Sequence, residues 1–309
     1  MLSLLDILHL WMGASKYILV HLGPEDHENV VFACKDLYDF YYTGIPVKVR
    51  RTVTPDKMVQ FLYGCLPFFP RGMIASQHHM GVGALKAILR KSGKYLEILD
   101  LSKCYGLTDL TDLEQCTSLH TLNLIECRGV TNVSGLGQCA SLQTLDLWDC
   151  AKLTDLTGLE QCASLHTLDL SECNGLTNVF CLGQCASLHT LTLSECHGVT
   201  DVSGLGQCAT LSYLDLSRCN GVTDVSGLAQ CASLHTLDLN RCIGVTDVTP
   251  LGKCESLHTL DLSWCSGVTD VSGLGQCASL HTLNLSGCQG VTDVLGLGQC
   301  ASLHTLDLS

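Results

Sequence analysis

A 23-residue unit, repeated from Leu96 to the end of the chain, constrains the fold more than any other feature of the sequence. One copy, from Leu188 to Thr210, reads LHTLTLSECHGVTDVSGLGQCAT, and most other copies differ from it at only a few positions. Nine copies are complete and a tenth, from Leu303 to Ser309, is truncated. A fixed period of roughly 20 to 50 residues is typical of a solenoid, in which each coil covers the apolar face of its neighbour.

The spacing of the apolar residues predicts how one coil is built. Leu188, Leu191 and Leu193 form an L-x-x-L-x-L run whose last part alternates, so a short strand should point Leu191 and Leu193 into the interior. Three apolar residues then follow at intervals of three, which predicts a 3₁₀-like return with one buried ridge. This pattern resembles the leucine-rich repeat, and it predicts an α/β solenoid with a curved parallel sheet and a short 3₁₀ or irregular convex side.

Cysteines occupy two fixed positions of the repeat. Of the 21 cysteines, eighteen fall into two series that begin at Cys104 and Cys116 and recur once in every copy. Both positions face the predicted interior, where a free thiol behaves as a small apolar group. We therefore expect reduced packing residues in a cytoplasmic or nuclear protein, with neither a metal site nor a cofactor. Disulfides or zinc are the alternative, although only Cys181 and Cys185 approach the short spacing that zinc sites use.

Charge is unevenly distributed along the chain. Residues 1–95 hold 11 Lys+Arg and 7 Asp+Glu, a net charge of +4, whereas residues 96–309 hold 6 and 23, a net charge of −17. An acidic array disfavours binding to a phosphate backbone, so no nucleic-acid partner is expected. No apolar run reaches the roughly 18 residues that span a bilayer, and no basic segment opens a signal peptide, so no membrane role is expected.

Residues 1–42 differ from the repeats, and their apolar spacing predicts two or three short helices. The segment Ile18-Leu19-x-x-Leu22-x-Pro24-x-Asp26, followed by Val30 and by Ala33-Cys34-Lys35-x-Leu37-Tyr38, resembles the F-box motif. It departs from that motif because no Leu-Pro pair opens it and Leu37 stands where Trp is usual. The resemblance implies docking on a Skp-family adaptor of a cullin ubiquitin ligase through Leu19, Leu22, Pro24, Asp26, Val30, Cys34 and Leu37. The alternative is a helical cap for the solenoid.

Residues 43–95 connect this segment to the repeats. Gly44, Pro46 and Pro55 predict an extended linker or an edge strand, and the apolar spacing between Gly83 and Gly93 predicts an amphipathic helix. Solenoids need an element that covers the first apolar coil, and this helix is placed to do so. The expected domains are thus 1–42, 43–95 and 96–309.

Because the copies are so similar, the positions that vary indicate where a partner binds. One series immediately precedes the strand-end cysteine and is called here the rim series: Lys103, Glu126, Asp149, Glu172, Glu195, Arg218, Arg241, Trp264 and Gly287. A second follows that cysteine and is called the post-cysteine series: Tyr105, Arg128, Ala151, Asn174, His197, Asn220, Ile243, Ser266 and Gln289. At about 4.8 Å per coil, the rim from Glu126 to Trp264 spans roughly 29 Å.

The rim series predicts a strip of four acids, two arginines and a tryptophan along the concave face. Trp148 and Tyr213 add aromatic anchors where most copies carry Ser or Thr. Interface hot spots are enriched in Trp, Tyr and Arg. The predicted partner-binding residues are Glu126, Trp148, Asp149, Glu172, Glu195, Tyr213, Arg218, Arg241 and Trp264; the alternative is that they are substitutions tolerated on the surface.

Two further columns carry titratable groups. Aspartates recur on the concave face, including Asp146, Asp215 and Asp238, and histidines recur at the strand entrance, including His166 and His258. A solvated polar row explains the aspartates, and a metal ladder would require additional oriented ligands. A single catalytic site is not built from near-identical copies of the same residues, so no catalytic residues and no enzyme activity are expected.

Taken together, these patterns predict an adaptor. The repeats resemble cysteine-containing leucine-rich repeats found downstream of F-boxes, although their return segment is shorter and also resembles protist and bacterial interaction proteins. The F-box resemblance implies the substrate-recognition subunit of a Skp–cullin–F-box ubiquitin ligase, with a protein substrate on the concave face. The alternative is a scaffold or regulator of a signalling protein with no ubiquitin role.

Overall fold

The computed structural model describes residues 47–48, 72–74, 89–90 and 93–309. Residues 1–42, which carry the predicted helices and the F-box-like segment, lie outside the described residues. Of the predicted helix before the repeats, residues 89–90 are described, and they are helical. Leu89 is buried in the same apolar core as the repeats.

One parallel sheet of twelve strands runs through the described part of the chain, in sequence order from β1 to β12. Its strands are β1 Val47–Lys48, β2 Gly72–Ile74, β3 Ile98–Asp100, β4 Thr121–Asn123, β5 Thr144–Asp146, β6 Thr167–Asp169, β7 Thr190–Thr192, β8 Tyr213–Asp215, β9 Thr236–Asp238, β10 Thr259–Asp261, β11 Thr282–Asn284 and β12 Thr305–Asp307. The sheet is open and uncurled, with β1 and β12 at its edges, which differs from the curved slab expected from the sequence.

Within the repeats, every strand pairs with the equivalent residues of the next copy. Leu191 of β7, for example, lies opposite Leu168 of β6 and Leu214 of β8. Paired residues on neighbouring strands are therefore separated by one period of the sequence. Before the repeats the sheet continues through β1 and β2, where Gly72 pairs with Ile98, an offset slightly longer than the one between copies. The sequence predicted an extended linker or an edge strand around Gly44, Pro46 and Pro55, but not that the sheet of the repeats continues through β1 and β2.

Short 3₁₀ segments close the coils, as the apolar spacing predicted. They are Gly93–Tyr95, Thr111–Gln115, Ser134–Gln138, Leu159–Gln161, Phe180–Gln184, Ser203–Gln207, Ser226–Gln230, Thr249–Lys253, Ser272–Gln276 and Leu295–Gln299. In the copy that begins at Leu188, Val199, Val202 and Leu205 are fully buried, which confirms the single apolar ridge. Successive segments approach closely: a Cβ added to Gly206 would lie 2.3 Å from the carbonyl oxygen of Gly227. Glycine is required there because its missing Cβ leaves room for the next backbone.

Both cysteine columns lie in the interior, where the sequence placed them. The nineteen cysteines of the described part are free thiols, and all except the half-buried Cys181 are buried. Along the strand-end column, from Cys127 to Cys288, each thiol donates to a leucine carbonyl of the preceding copy, as from Cys219 Sγ to Leu193 O at 2.9 Å. Burial raises the pKa of these thiols, to about 12 for Cys196. The cysteines are therefore packing residues that also join neighbouring coils.

Candidate functional site

The rim series occupies one backbone position with an unusual conformation. Its residues from Lys103 to Trp264 all have φ between 55° and 62°, and Gly287 has φ 72°. In the coil of Arg218, the amide of Cys219 donates to the carbonyl of Leu216 at 3.0 Å, so Arg218 is the third residue of a four-residue turn. A positive φ at this position alone is typical of a type II turn, which favours glycine. Eight of nine coils nevertheless place a side chain there, and each costs on the order of 1 kcal/mol of backbone strain.

The aspartate column holds this turn in place. In most strands the last residue is Asp or Asn, and its Oδ1 accepts the amide of the second residue after it, as from Ser217 N to Asp215 Oδ1 at 2.7 Å. Asn284 makes the same contact with the amide of Ser286 at 3.0 Å. The column is therefore a row of side chains that orients the turn carrying the rim residue. The sequence predicted this column on the concave face but did not predict these amide contacts.

Burial, and then the neighbouring carboxylates, shift the pKa of two aspartates of this column. Burial, followed by the charges of Asp215 and Asp261 on the adjacent strands, raises the pKa of Asp238 to about 6. Burial and the neighbouring carboxylates also raise the pKa of Asp146. Within 93–309 and the shorter described ranges, no three His, Cys, Asp or Glu side chains are grouped so that they could hold a metal ion.

The histidine column divides into two stacks. The rings of His235, His258, His281 and His304 are stacked with centroid separations of 4.6, 3.7 and 5.1 Å. Nδ1 of His281 lies 2.7 Å from the carbonyl oxygen of Ser279, so this nitrogen is the donor and Nε2 faces away from the backbone. Burial and the adjacent imidazoles lower the pKa of His258. The Nδ1 contact orients the imidazole ring of His281 against the backbone.

Most acids of the rim series are paired with a cation of the rim series or of the post-cysteine series. Lys103 Nζ lies 3.0 Å from Glu126 Oε1, Arg128 pairs with Asp149, and Arg218 Nη1 lies 2.6 Å from Glu195 Oε1. Asp149 is only 8% exposed. Three of the four predicted acids are therefore already paired with cations, and the strip of acids and arginines is not a simple bipolar surface. Lys103 and Glu126 are opposite charges one copy apart, and so are Glu195 and Arg218. This spacing was the sequence signal for two of these pairs.

The second half of the rim series presents aromatic and cationic groups. The guanidinium carbon of Arg241 lies 5.6 Å from the centre of the Trp264 ring, and Trp264 is 53% exposed. Tyr213 lies on β8 on the same face as Asp215 and is exposed, whereas Trp148 is half-buried on the turn after β5. Ile243, which sequence reasoning did not select, is 56% exposed. It was the large aliphatic residue in a post-cysteine series of mostly polar or small side chains.

Comparisons with known proteins agree with the fold. Models of leucine-rich repeats match residues 140–180 and 209–253, and a further leucine-rich-repeat model matches 253–274 and 276–294. No F-box model matches, and none of the curated proteins matches the chain.

Solved structures with the same architecture are similar to much of the chain. The TLR13–ssRNA13 complex is 23% identical with a TM-score of 0.59, over 72% of this chain and 34% of that one. The leucine-rich repeat domain of the type III effector XopL is 18% identical with a TM-score of 0.53, over 63% of this chain and 70% of that one. Internalin C2 of Listeria monocytogenes is 27% identical with a TM-score of 0.46, over 65% and 84%. No helix within the described residues is long and apolar enough to cross a membrane. The repeated units of this chain are leucine-rich repeats.

Proposed function

We propose that the repeats bind a protein partner on the rim series and the adjoining open sheet face, around Tyr213, Arg218, Arg241 and Trp264. Leucine-rich repeat proteins typically mediate protein–protein interaction. The observation that carries the proposal is the exposed Arg241–Trp264 pair, held at a strained backbone position within copies that otherwise repeat the same residues. Strained residues concentrate at binding sites, where the surrounding structure maintains them.

The composition of this surface supports a protein ligand. Tyr, Trp and Arg supply most of the hot spots in protein interfaces. The length of roughly 29 Å from Glu126 to Trp264, at about 4.8 Å per strand, accommodates a folded partner or an extended peptide. The net charge of −17 over residues 96–309 opposes a nucleic-acid backbone as the ligand.

Capture from a cell extract, followed by mass spectrometry, tests this surface. We expect Trp264→Ala and Arg218→Glu to lose proteins that the native chain retains. Glu255→Ala is the matched control, because Glu255 is exposed and most other copies carry Ala at the same position. An identical set of captured proteins for all variants would contradict the proposal.

For the N-terminal segment we propose docking on a Skp-family adaptor, which would make the chain a substrate-recognition subunit of a cullin ubiquitin ligase in the cytoplasm or nucleus. The support is the F-box-like spacing of Leu19, Leu22, Pro24, Asp26, Val30, Cys34 and Leu37. The second candidate, a scaffold for a signalling protein, needs only the repeats. A pull-down with a Skp-family protein separates them: Leu22→Asp and Pro24→Ala should each abolish binding, and binding that survives both changes favours the scaffold.

A further inference from the structure

The Trp264 indole is held between two neighbouring coils. Arg241, one coil earlier, places its guanidinium over the ring. On the side of the following coil, a Cβ added to Gly287 would lie 2.8 Å from Cδ2 of Trp264, so the ring rests against the glycine backbone. Gly287 is the one rim position without a side chain, and that absence makes room for the indole. The arrangement fixes a large aromatic surface before any partner arrives, which lowers the entropy cost of binding.

Arg241 differs from the other basic residues of this surface in its charge environment. Lys103, Arg128 and Arg218 each contact a carboxylate of the rim series. The rim neighbours of Arg241 are Arg218 and Trp264, and within the described residues no carboxylate forms an ion pair with it. A guanidinium that stacks on an aromatic face keeps its N–H edge available, and this edge matches a carboxylate in a bidentate contact.

Apolar surface lies next to this cation. Ile243 and Trp264 are both more than half exposed, and Ile243 follows Arg241 by two positions. A large apolar side chain placed there would bury surface on both. The rest of the array limits the partner's charge, because residues 96–309 carry a net charge of −17 and would repel a run of acids.

We infer that the Arg241–Trp264 pair binds a single carboxylate that is adjacent to a large apolar side chain on an extended segment of the protein partner. The inference rests on the proposed protein-binding function and names the chemistry of the ligand. The carboxylate pairs with the Arg241 guanidinium, and the apolar side chain covers Ile243 and the exposed part of Trp264. An internal Asp or Glu and a C-terminal carboxylate offer the same group, and the experiment distinguishes them.

Selection of displayed random nonapeptides on the full chain tests the inference. One library has blocked ends and the other has free C-termini. We expect selected peptides to carry one Asp, Glu or terminal carboxylate next to Leu, Ile, Phe or Trp. Enrichment in the blocked library identifies a side-chain carboxylate, and enrichment only with free C-termini identifies the terminal group. Peptides that lack a carboxylate, or a selection that enriches nothing, would overturn the inference.

Binding constants of one selected peptide then locate the contact. Replacing its carboxylate by the amide, or changing Arg241→Glu, should weaken binding at least tenfold. Arg241→Lys should weaken it less, because the charge remains while the stacked, two-pronged contact is lost. Gly287→Ala should weaken it by displacing the indole without removing it. Lys253→Gln, which restores the residue found in other copies, should leave binding unchanged.

The two proposals fail in different ways. If Trp264→Ala abolishes protein capture but the amide peptide and Arg241→Glu bind as before, the carboxylate inference is wrong and the interaction surface stands. If Trp264→Ala and Arg218→Glu leave protein capture unchanged, the interaction surface itself is wrong. Thermal unfolding of each variant confirms that a loss of binding does not reflect a loss of the fold.

Discussion

The buried and exposed sides of each coil differ in how closely their residues repeat, although these residues alternate along the same short segment. Inward positions are nearly identical from coil to coil: Leu191, Leu193 and Cys196 are fully buried, and the equivalent residues repeat throughout the array. On the exposed side, Thr, Asp and Asn recur at most strand positions, with Tyr213 as an exception, and the side chains change most along the rim series. The interior repeats because each coil must fit a nearly identical neighbour, and the aspartate column repeats because it accepts the amide of the turn. The rim series carries no such requirement, so its variation is free to serve recognition.

The largest expected change in stability comes from one of a pair of substitutions on β8. Leu214→Ala should lower the free energy of unfolding by about 3 kcal/mol, because it removes a fully buried side chain and leaves a cavity. Tyr213→Thr, one residue earlier, gives the side chain that β7 and β9 carry there and should change stability by less than about 0.5 kcal/mol. Chemical denaturation measures both, and similar losses would contradict the division between the two sides.

Replacement of a strand-end cysteine by serine tests whether the interior accepts a polar side chain of similar size. Cys219→Ser should lower the free energy of unfolding by about 1 to 2 kcal/mol, because a hydroxyl costs more to bury than a thiol even when it is hydrogen-bonded. The hydroxyl can still donate to the carbonyl of Leu193, which limits the loss. Arg218→Ser, on the adjacent rim position, is the control in the same denaturation series and should have a smaller effect.

The aspartate column should have a stability that depends on pH. Because the pKa of Asp238 is raised to about 6, its carboxylate destabilises the fold at neutral pH, and protonation relieves this as the pH falls from about 6 towards 4. Asp238→Asn keeps an oxygen for the amide of Asn240, as Asn284 does in its own coil. We expect a gain of about 1 kcal/mol at pH 7, discounted for the partial exposure of the group, and no gain at pH 4.

The histidine stack should respond in the opposite direction. The lowered pKa of His258 means that the unfolded chain takes up the proton first, so stability decreases as the pH falls below about 6.5. His258→Gln keeps a polar side chain and should remove part of that decrease. Thermal unfolding between pH 5 and pH 8 measures the slope, and the same slope in the variant would show that the stack does not contribute.

The smallest expected effect concerns the strained rim position. Glu172→Gly relieves the left-handed backbone but adds freedom to the unfolded chain, so we expect a net gain of only about 0.5 kcal/mol. Glu172→Ala keeps the strain and serves as the control. If the glycine variant is less stable than the alanine variant, the strain argument for the rim series fails.

Most of the scaffold could be predicted because it depends on residues that repeat with one period. The spacing of Leu188, Leu191 and Leu193 gave the strand, and the return ridge and both cysteine columns followed from the same phase. The left-handed turn was harder to predict because eight of nine coils lack the glycine that would signal it. The Arg128–Asp149 pair and the contact of Trp264 with Gly287 depend on side-chain geometry between coils, which no single period encodes.

The buried thiols allow the opening of individual coils to be followed by chemical labelling. Each complete coil carries two of them, and burial raises the pKa of Cys242 and Cys265 to about 12, so neither reacts with an alkylating reagent while its coil stays closed. When a coil separates from its neighbours, its thiols become accessible and the reagent alkylates them. The pattern of labelled cysteines after brief exposure would give the order in which the coils unfold, without any added probe.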